Sequence, residues 1–418
     1  MKPEVKTILG GLCLQWPTIE VEASRLHQHK DGRVTGEILI TTSMAGYNPH
    51  LHQAQFNFTS TQSRTGLGKH LIERCPELPW PDLLEQVCVY TLRHLREGEP
   101  PVEICTTDDI PPLEYLLHPF LPKGQPTMIF GDGGTAKSTL GLITVLCLQL
   151  PWVDNPLHLV VPSHPITVAY CDWETDQAEI GWQLKRICTG HDLGMMTLHY
   201  RRCIQPLADD LEQIQSWTQR IGASCVIVDS VAHACGGDVN EAEPARRLFQ
   251  ALRGLNTTSL LIHHTAKGQQ GNKPSPFGSA YFNNYSRSVW ESRKAQEPGE
   301  DDLSIGLFHR KANYSKLFPA IGVHFSYTDT TIQIEHEDVR TVAELAKSLG
   351  VPFQVADLLK SGPMTPKDIR EALGDDVSLD SIRMALTRMK HKGQVINLGK
   401  GRWGLRAHPD TSVPESFT

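Results

Sequence analysis

The 418-residue sequence has no C-x-x-C pair, no apolar run of the roughly 18 residues that a membrane helix needs, and no surplus of positive charge. Ten cysteines (Cys13, Cys75, Cys88, Cys105, Cys147, Cys171, Cys188, Cys203, Cys225 and Cys235) stand singly. That spacing excludes a zinc ribbon or a redox pair and leaves reduced, mostly buried apolar residues. The formal net charge of −7 argues against a surface coated in positive potential, so nucleic-acid contact would have to come from local basic patches. The start, MKPEVKTILGG, lacks a long apolar stretch followed by a small-residue cleavage site, so neither a secretory signal nor a membrane association is expected. A cytoplasmic location is. There is no internal repeat.

Residues 1–105 read as a small α+β domain. Two alternating stretches meet across HKDGR, the pattern of a hairpin whose Asp-Gly turn tolerates positive φ. LHQAQFNFTSTQ reads as a further strand, and PWPDLLEQVCVYTLRHLREGE as a helix with a Pro-rich start and Gly98 at its end. His27, His29, His50 and His52 have no accompanying carboxylate or cysteine pattern, so they read as surface histidines rather than a metal set. A Pro-rich linker precedes PTMIFGD, ITVAYCDWE, ASCVIVDS and TSLLIHHT, short β-branched runs separated by helices over 137–150, 178–189 and 241–253. Buried strands alternating with helices give an α/β fold with a mostly parallel sheet. DLSIGLFHRKA, IGVHFSYT and TTIQIEHE then extend it antiparallel. The domains expected are 1–105, 106–338 and 339–408, with a tail at 409–418.

FGDGGTAKSTLGL, residues 130–142, nearly fits the phosphate-loop pattern G-x-x-x-x-G-K-[ST], with Ala136 in place of the second glycine. A strand before it and a helix after it are the context that the pattern requires. Backbone N–H groups of Gly131, Gly133, Gly134 and Thr135 would wrap a phosphate at the helix N-terminus, which continues into Thr139. Lys137 would reach the β- and γ-phosphates of ATP, and Ser138 would ligate Mg²⁺. Ala136 is tolerable there if its dihedrals are those of an ordinary helix entry. Asp229 closes the strand CVIVD and is the second magnesium candidate. Glu174, after ITVAYCDW, is placed to activate water, with Asp172 as the competing acid. In LLIHH the two histidines must point to opposite faces, and His264 rather than His263 is taken as the γ-phosphate sensor.

These elements in this order, with HHTAKG, FGSAYFNNYSRSVW and HRKANYS after them, resemble the RecA superfamily and, within it, the RepA-like hexameric replicative helicases over roughly residues 115–335. The resemblance implies a RecA-like core binding ATP between subunits of a homo-oligomeric ring, with single-stranded DNA through its centre. It implies a basic residue reaching the neighbour's site, for which HRKAN offers Arg310 and Lys311. It also implies DNA-facing loops, matched by AHACGGDVNEAE and by KGQQGNKPSPFGS with Lys267 and Lys273. Both segments are expected to be polar and mobile.

Residues 351–405 resemble a winged helix-turn-helix, with Thr365 and Ser378 as helix N-caps and a closing hairpin around GKGR. Arg383, Arg388, Lys390, Lys392, Lys400, Arg402 and Arg406 fall between Ser381 and Pro409 with no acid among them. That is the footprint of duplex contact, although many such modules bind proteins instead. The functional expectation is a magnesium-dependent ATPase acting as a DNA helicase for a mobile element. The alternatives are a DNA-associated ATPase without unwinding, and an ATP-gated adaptor with slow turnover.

Overall fold

The structure, a computed structural model, describes residues 2–8, 10–97, 103–105, 109, 112–194, 196–265, 275, 276, 278, 280–296, 299–374 and 377–406. It divides into two units, Met1–Pro111 with Asp210–Gln219, and Pro112–Asp209 with Arg220–Thr418.

In the first unit, strands β1 (Glu4–Ile8), β2 (Gly11–Gln15), β3 (Ile19–Gln28), β4 (Val34–Thr42) and β5 (His50–Asn57) form an antiparallel meander in chain order. The β3–β4 hairpin turns at Asp31-Gly32, with Gly32 at φ +87°, where only a residue without Cβ is unstrained. Helices α1 (Thr61–Arg74) and α2 (Trp80–Glu97) follow. Helix α2 buries Leu83, Leu84, Val87, Cys88 and Thr91 along one stripe, which is why its apolar spacing was readable. Helix α1 buries only Leu67, Gly68 and Leu71 and is defined instead by its Ser60 cap, which accepts from the Ser63 amide. Of the four histidines, His27 and His50 are exposed and His29 and His52 half-buried. His27 meets His29 and His52 meets His70 edge to face, and no group of potential metal ligands among the described residues contains a histidine.

The second unit opens with the strand pair β6 (Tyr115–Leu117) and β7 (Leu121–Pro122), then runs β8 (Pro126–Gly131), α3 (Lys137–Gln149), β9 (Val168–Asp172), α4 (Gln177–Gly190) and β10 (His199–Arg202). After α5 (Leu211–Arg220), most of which belongs to the first unit, come β11 (Cys225–Asp229), α6 (Val231–Ala234), α7 (Ala242–Leu255), β12 (Thr258–His264), α8 (Ala280–Tyr285) and β13 (Ser288–Ala295). Strands β14 (Leu303–Ala312), β15 (Ile321–Tyr327) and β16 (Ile332–Glu337) complete the sheet. Its order is β10-β9-β11-β12-β8-β13-β14-β15-β16, parallel from β10 to β13 and antiparallel beyond. Strand β12 therefore lies between the strand of the phosphate loop and the strand ending in Asp229, so the C-terminal ends of β8, β12, β11 and β9 form one rim.

Strand β13 carries SVWESRKA, whose charged alternation resembles a solvated surface. Glu291 is instead buried and holds Arg293 on one carboxylate oxygen and Arg310, from β14, on the other at 2.6 Å. A buried carboxylate without such partners would be strongly destabilising.

Beyond the sheet lie α9 (Ala343–Ala346), α10 (Val351–Lys360), α11 (Pro366–Leu373), α12 (Leu379–His391) and a hairpin of β17 (Val395–Gly399) and β18 (Arg402–Leu405). Thr365 and Ser378 cap α11 and α12 as expected, Thr365 in a reciprocal capping box with Asp368. Met364 pairs with Trp403, joining the helices to the hairpin. Val355, Leu359, Ile369, Ile382, Leu386, Met389 and Val395 form the core between them.

His309 on β14 stacks on Trp290 at 4.2 Å, its Nδ1 accepts the Phe318 amide at 3.1 Å, and its Nε2 faces the Ser288 hydroxyl at 3.2 Å. Burial pushes its pKa down from 6.5 to about 4. A folded-state value below the unfolded one means stability that is complete above pH 6.5 and lost as the pH falls through 4. Two to three pH units correspond to about 3 kcal/mol. Denaturant midpoints measured from pH 7 to pH 4 should fall less steeply in His309→Phe than in the parent protein.

Candidate functional site

The phosphate loop spans the gap between β8 and α3. A Cβ on Gly131 would lie 2.4 Å from the Ser292 carbonyl oxygen and 2.7 Å from the Thr135 hydroxyl, so only glycine fits under the neighbouring strand. Gly134 takes φ +72° at the exposed crest beside Gly133. Ala136 does not have the ordinary helix-entry dihedrals anticipated for it. It sits at φ +53°, ψ +26°, in the left-handed region. The loop needs that turn to aim its amides inward, and an alanine there costs about 1–2 kcal/mol where glycine would cost little. Helix α3 starts at Lys137 with no side-chain cap, which leaves its first N–H groups facing the loop, while Thr139 is half-buried in its first turn.

The Lys137 side chain is buried, and its ammonium donates to the Asp132 carbonyl at 2.6 Å and reaches the Thr135 hydroxyl at 3.4 Å. Burial lowers its pKa, against the opposing pull of Asp229, Glu174 and Asp132. The loop is fixed from the side by Ser292, whose hydroxyl donates to the Thr135 carbonyl at 2.8 Å.

Asp229 is 2 % exposed. Tyr170, at the centre of β9, donates its hydroxyl to Oδ2 at 2.7 Å, and among the described residues Oδ1 has no hydrogen-bond partner. Burial raises the carboxyl to about 6, while Tyr170 and the nearby Ser138 hydroxyl favour the ionised form and Glu174 and Asp172 oppose it. A buried carboxylate oxygen with no partner beside a serine hydroxyl is costly in the empty protein and suits a hard, oxygen-seeking cation. The donor set therefore fits Mg²⁺ held by Ser138 and Asp229.

Asp172 and Glu174 separate cleanly. Asp172 is engaged on every side: Oδ1 accepts the amides of Glu174 and Thr175 at 2.8 and 3.0 Å, and Oδ2 accepts the hydroxyls of Thr175 and Tyr200 at 2.6 and 2.9 Å. It builds the turn that presents Glu174. The Glu174 carboxylate faces His264 Nε2 at 3.7 Å, a charge contact rather than a formed hydrogen bond. His264, then the Ser230 hydroxyl and His233, hold its carboxyl down to about 2. The strand alternation sends His263 the other way, into the core against Phe282.

Arg310 and Lys311 are both held within their own chain. The Lys311 ammonium donates to the carbonyls of Asn283, Asn284 and Ser286 at 2.7, 2.9 and 2.8 Å, closing the C-terminal end of α8. Its three donors are thereby filled. Arg310 bonds Glu291 and the Ser348 carbonyl, and its guanidinium keeps donors to spare.

The segment after Asp229 is packed rather than free. Cys235 and Val239 are buried, and Gly236 and Gly237 lie against Pro206 and Pro244 so closely that a Cβ would clash with either proline. Lys267 and Lys273 lie outside the described residues. Arg383, Arg388, Lys390, Lys392, Lys400, Arg402 and Arg406 are exposed on α12 and the hairpin. Arg383 contacts Asp380 at 3.4 Å, and Lys400 sits at the hairpin tip with φ +49°. Sequence reasoning missed Tyr170 and Ser292. A tyrosine in the middle of an apolar strand was the available signal for the first, and the second lies on a strand that the sequence did not reveal.

Residues 102–270 match the family described as the AAA domain, a span that holds the phosphate loop, Glu174, Asp229 and His264. A KaiC-like protein of the hyperthermophilic archaeon Pyrococcus horikoshii OT3 is similar in structure over 52 % of this chain and 93 % of that one, with 16 % identity and a TM-score of 0.35. No curated protein matches.

Ala136→Gly removes the left-handed alanine, and the chain should gain about 1 kcal/mol of stability. A higher denaturant midpoint at unchanged slope, with nucleotide binding no weaker, is the expected result. A lower midpoint would show that the loop relaxes out of this conformation.

Proposed function

We propose that the chain is a magnesium-dependent ATPase of the RecA superfamily whose turnover is coupled to DNA, most closely in the manner of a RepA-like ring motor. The observation that carries the ATPase half is the convergence of Lys137, the uncapped start of α3, the Ser138–Asp229 pair and Glu174 on one rim of the sheet. Lys137 and the loop amides would hold the phosphate chain, and Ser138 and Asp229 would hold the metal. Bound magnesium would supply charge neutralisation to the phosphate chain. Glu174 would take a proton from water as it attacks the γ-phosphorus and the bond to ADP breaks. While His264 sits against it, the Glu174 carboxylate is a weak base. Parting the pair would strengthen the base.

The DNA half rests on the exposed basic residues of α12 and its hairpin, in a module of three helices and a short β-ribbon that we read as a winged helix. Assembly into a ring of copies, with Arg310 rather than Lys311 facing the neighbour's nucleotide, belongs to the same reading, since the Lys311 donors are already filled. The left-handed Ala136 favours a second reading, an ATP-gated adaptor with slow turnover.

Steady-state ATP hydrolysis with and without single-stranded DNA separates the two. The motor reading expects a rate that DNA raises several-fold and that Lys137→Ala lowers by about a hundredfold or more. A slow rate indifferent to DNA would leave the adaptor, and a rate indifferent to Lys137→Ala would remove the ATPase site itself.

A further inference from the structure

Strand β13 runs parallel to β8, with Ser292 opposite Gly131. Alternation along it places Glu291 and Arg293 on one face of the sheet and Ser292 and Lys294 on the other, the face of the phosphate loop. Ser292 is bonded to the loop at Thr135. Two residues further on, Lys294 is exposed and its ammonium lies over the crest: a Cβ on Gly134 would be 3.6 Å from Lys294 Nζ. Among the described residues Lys294 has no carboxylate partner.

We infer that Lys294 is a second phosphate-binding cation of the loop, contributed by the same chain as Lys137 and reaching the polyphosphate of the nucleotide from the opposite side. The inference rests on the ATPase reading and adds a residue to it. Lys294 and the N–H donors of the loop present positive charge at the exposed crest, where an anion would be held. Lys137 lies folded back beneath the loop on the Asp132 carbonyl, whereas Lys294 stands above it. A polyphosphate chain between the two would be gripped from both sides, with Lys294 acting as a point charge that follows the phosphates as they change. The sequence could not reveal this residue because Lys294 belongs to no part of the G-x-x-x-x-G-K-[ST] pattern and lies 157 residues beyond Lys137.

The test is equilibrium binding of a fluorescent ATP analogue with Mg²⁺ to the full-length chain, its Lys294→Ala and Lys294→Arg variants, and Lys137→Ala, with inorganic tripolyphosphate as competitor. Loss of one charge-assisted contact should weaken nucleotide and tripolyphosphate by about tenfold each in Lys294→Ala. Lys294→Arg should recover most of the loss, and the thermal midpoint of the ligand-free protein should not move, because the side chain is exposed. Binding by Lys294→Ala equal to that of the parent, with Lys137→Ala defective, overturns the inference and leaves the ATPase reading intact. Equal loss in Lys294→Ala and Lys294→Arg overturns it too, since charge would then not be the cause. Absence of binding by the parent chain overturns the ATPase reading and this inference with it.

Discussion

The burial of one carboxylate governs the site. Asp229 ends a strand that is buried along its whole length, and removing a charge from water there is expensive unless something answers it. Tyr170 answers one oxygen, and among the described residues no hydrogen bond reaches the other. The fold keeps this cost in place through the parallel order of its strands, which brings the ends of β9, β11, β12 and β8 to a single rim. Glu174, His264, Asp229 and Lys137 meet there because of register and not because of proximity in sequence. The raised carboxyl of Asp229 and the lowered ammonium of Lys137 share one cause, the burial of both groups.

What was legible in the sequence was whatever depends on local chemistry. The Asp-Gly hairpin, the apolar stripe of α2, the caps at Thr365 and Ser378, and the strand–loop–helix around Lys137 all follow from short-range rules. The structure places Asp172 within the turn and Glu174 beside His264, while strand alternation turns His263 into the core. Hidden features are those that depend on distant partners. Strand β13 looks like surface until Arg310 is brought to Glu291. Ala136 looks harmless until the loop's handedness is known, and α1 has too narrow an apolar face to announce itself.

The two basic candidates on β14 show why residue type is a weak guide to role. Arg310 and Lys311 are neighbours in sequence and similar in charge, yet their side chains diverge. One neutralises a buried acid, and the other closes the open carbonyls of a short helix. A lysine that fills three carbonyls with its three donors is a structural tie. An arginine with a rigid fork and five donors can satisfy its own protein and still present donors outward.

The stretch from Glu291 to Lys294 serves both faces of the sheet at once. On one face Glu291 and Arg293 complete an ionic cluster with Arg310; on the other Ser292 and Lys294 flank the phosphate loop. Side chains on opposite faces of a strand share a single backbone, so the stretch cannot shift to suit one face without moving the other. Four consecutive positions are therefore under two unrelated demands, and this short segment has less freedom to drift than the loop it supports.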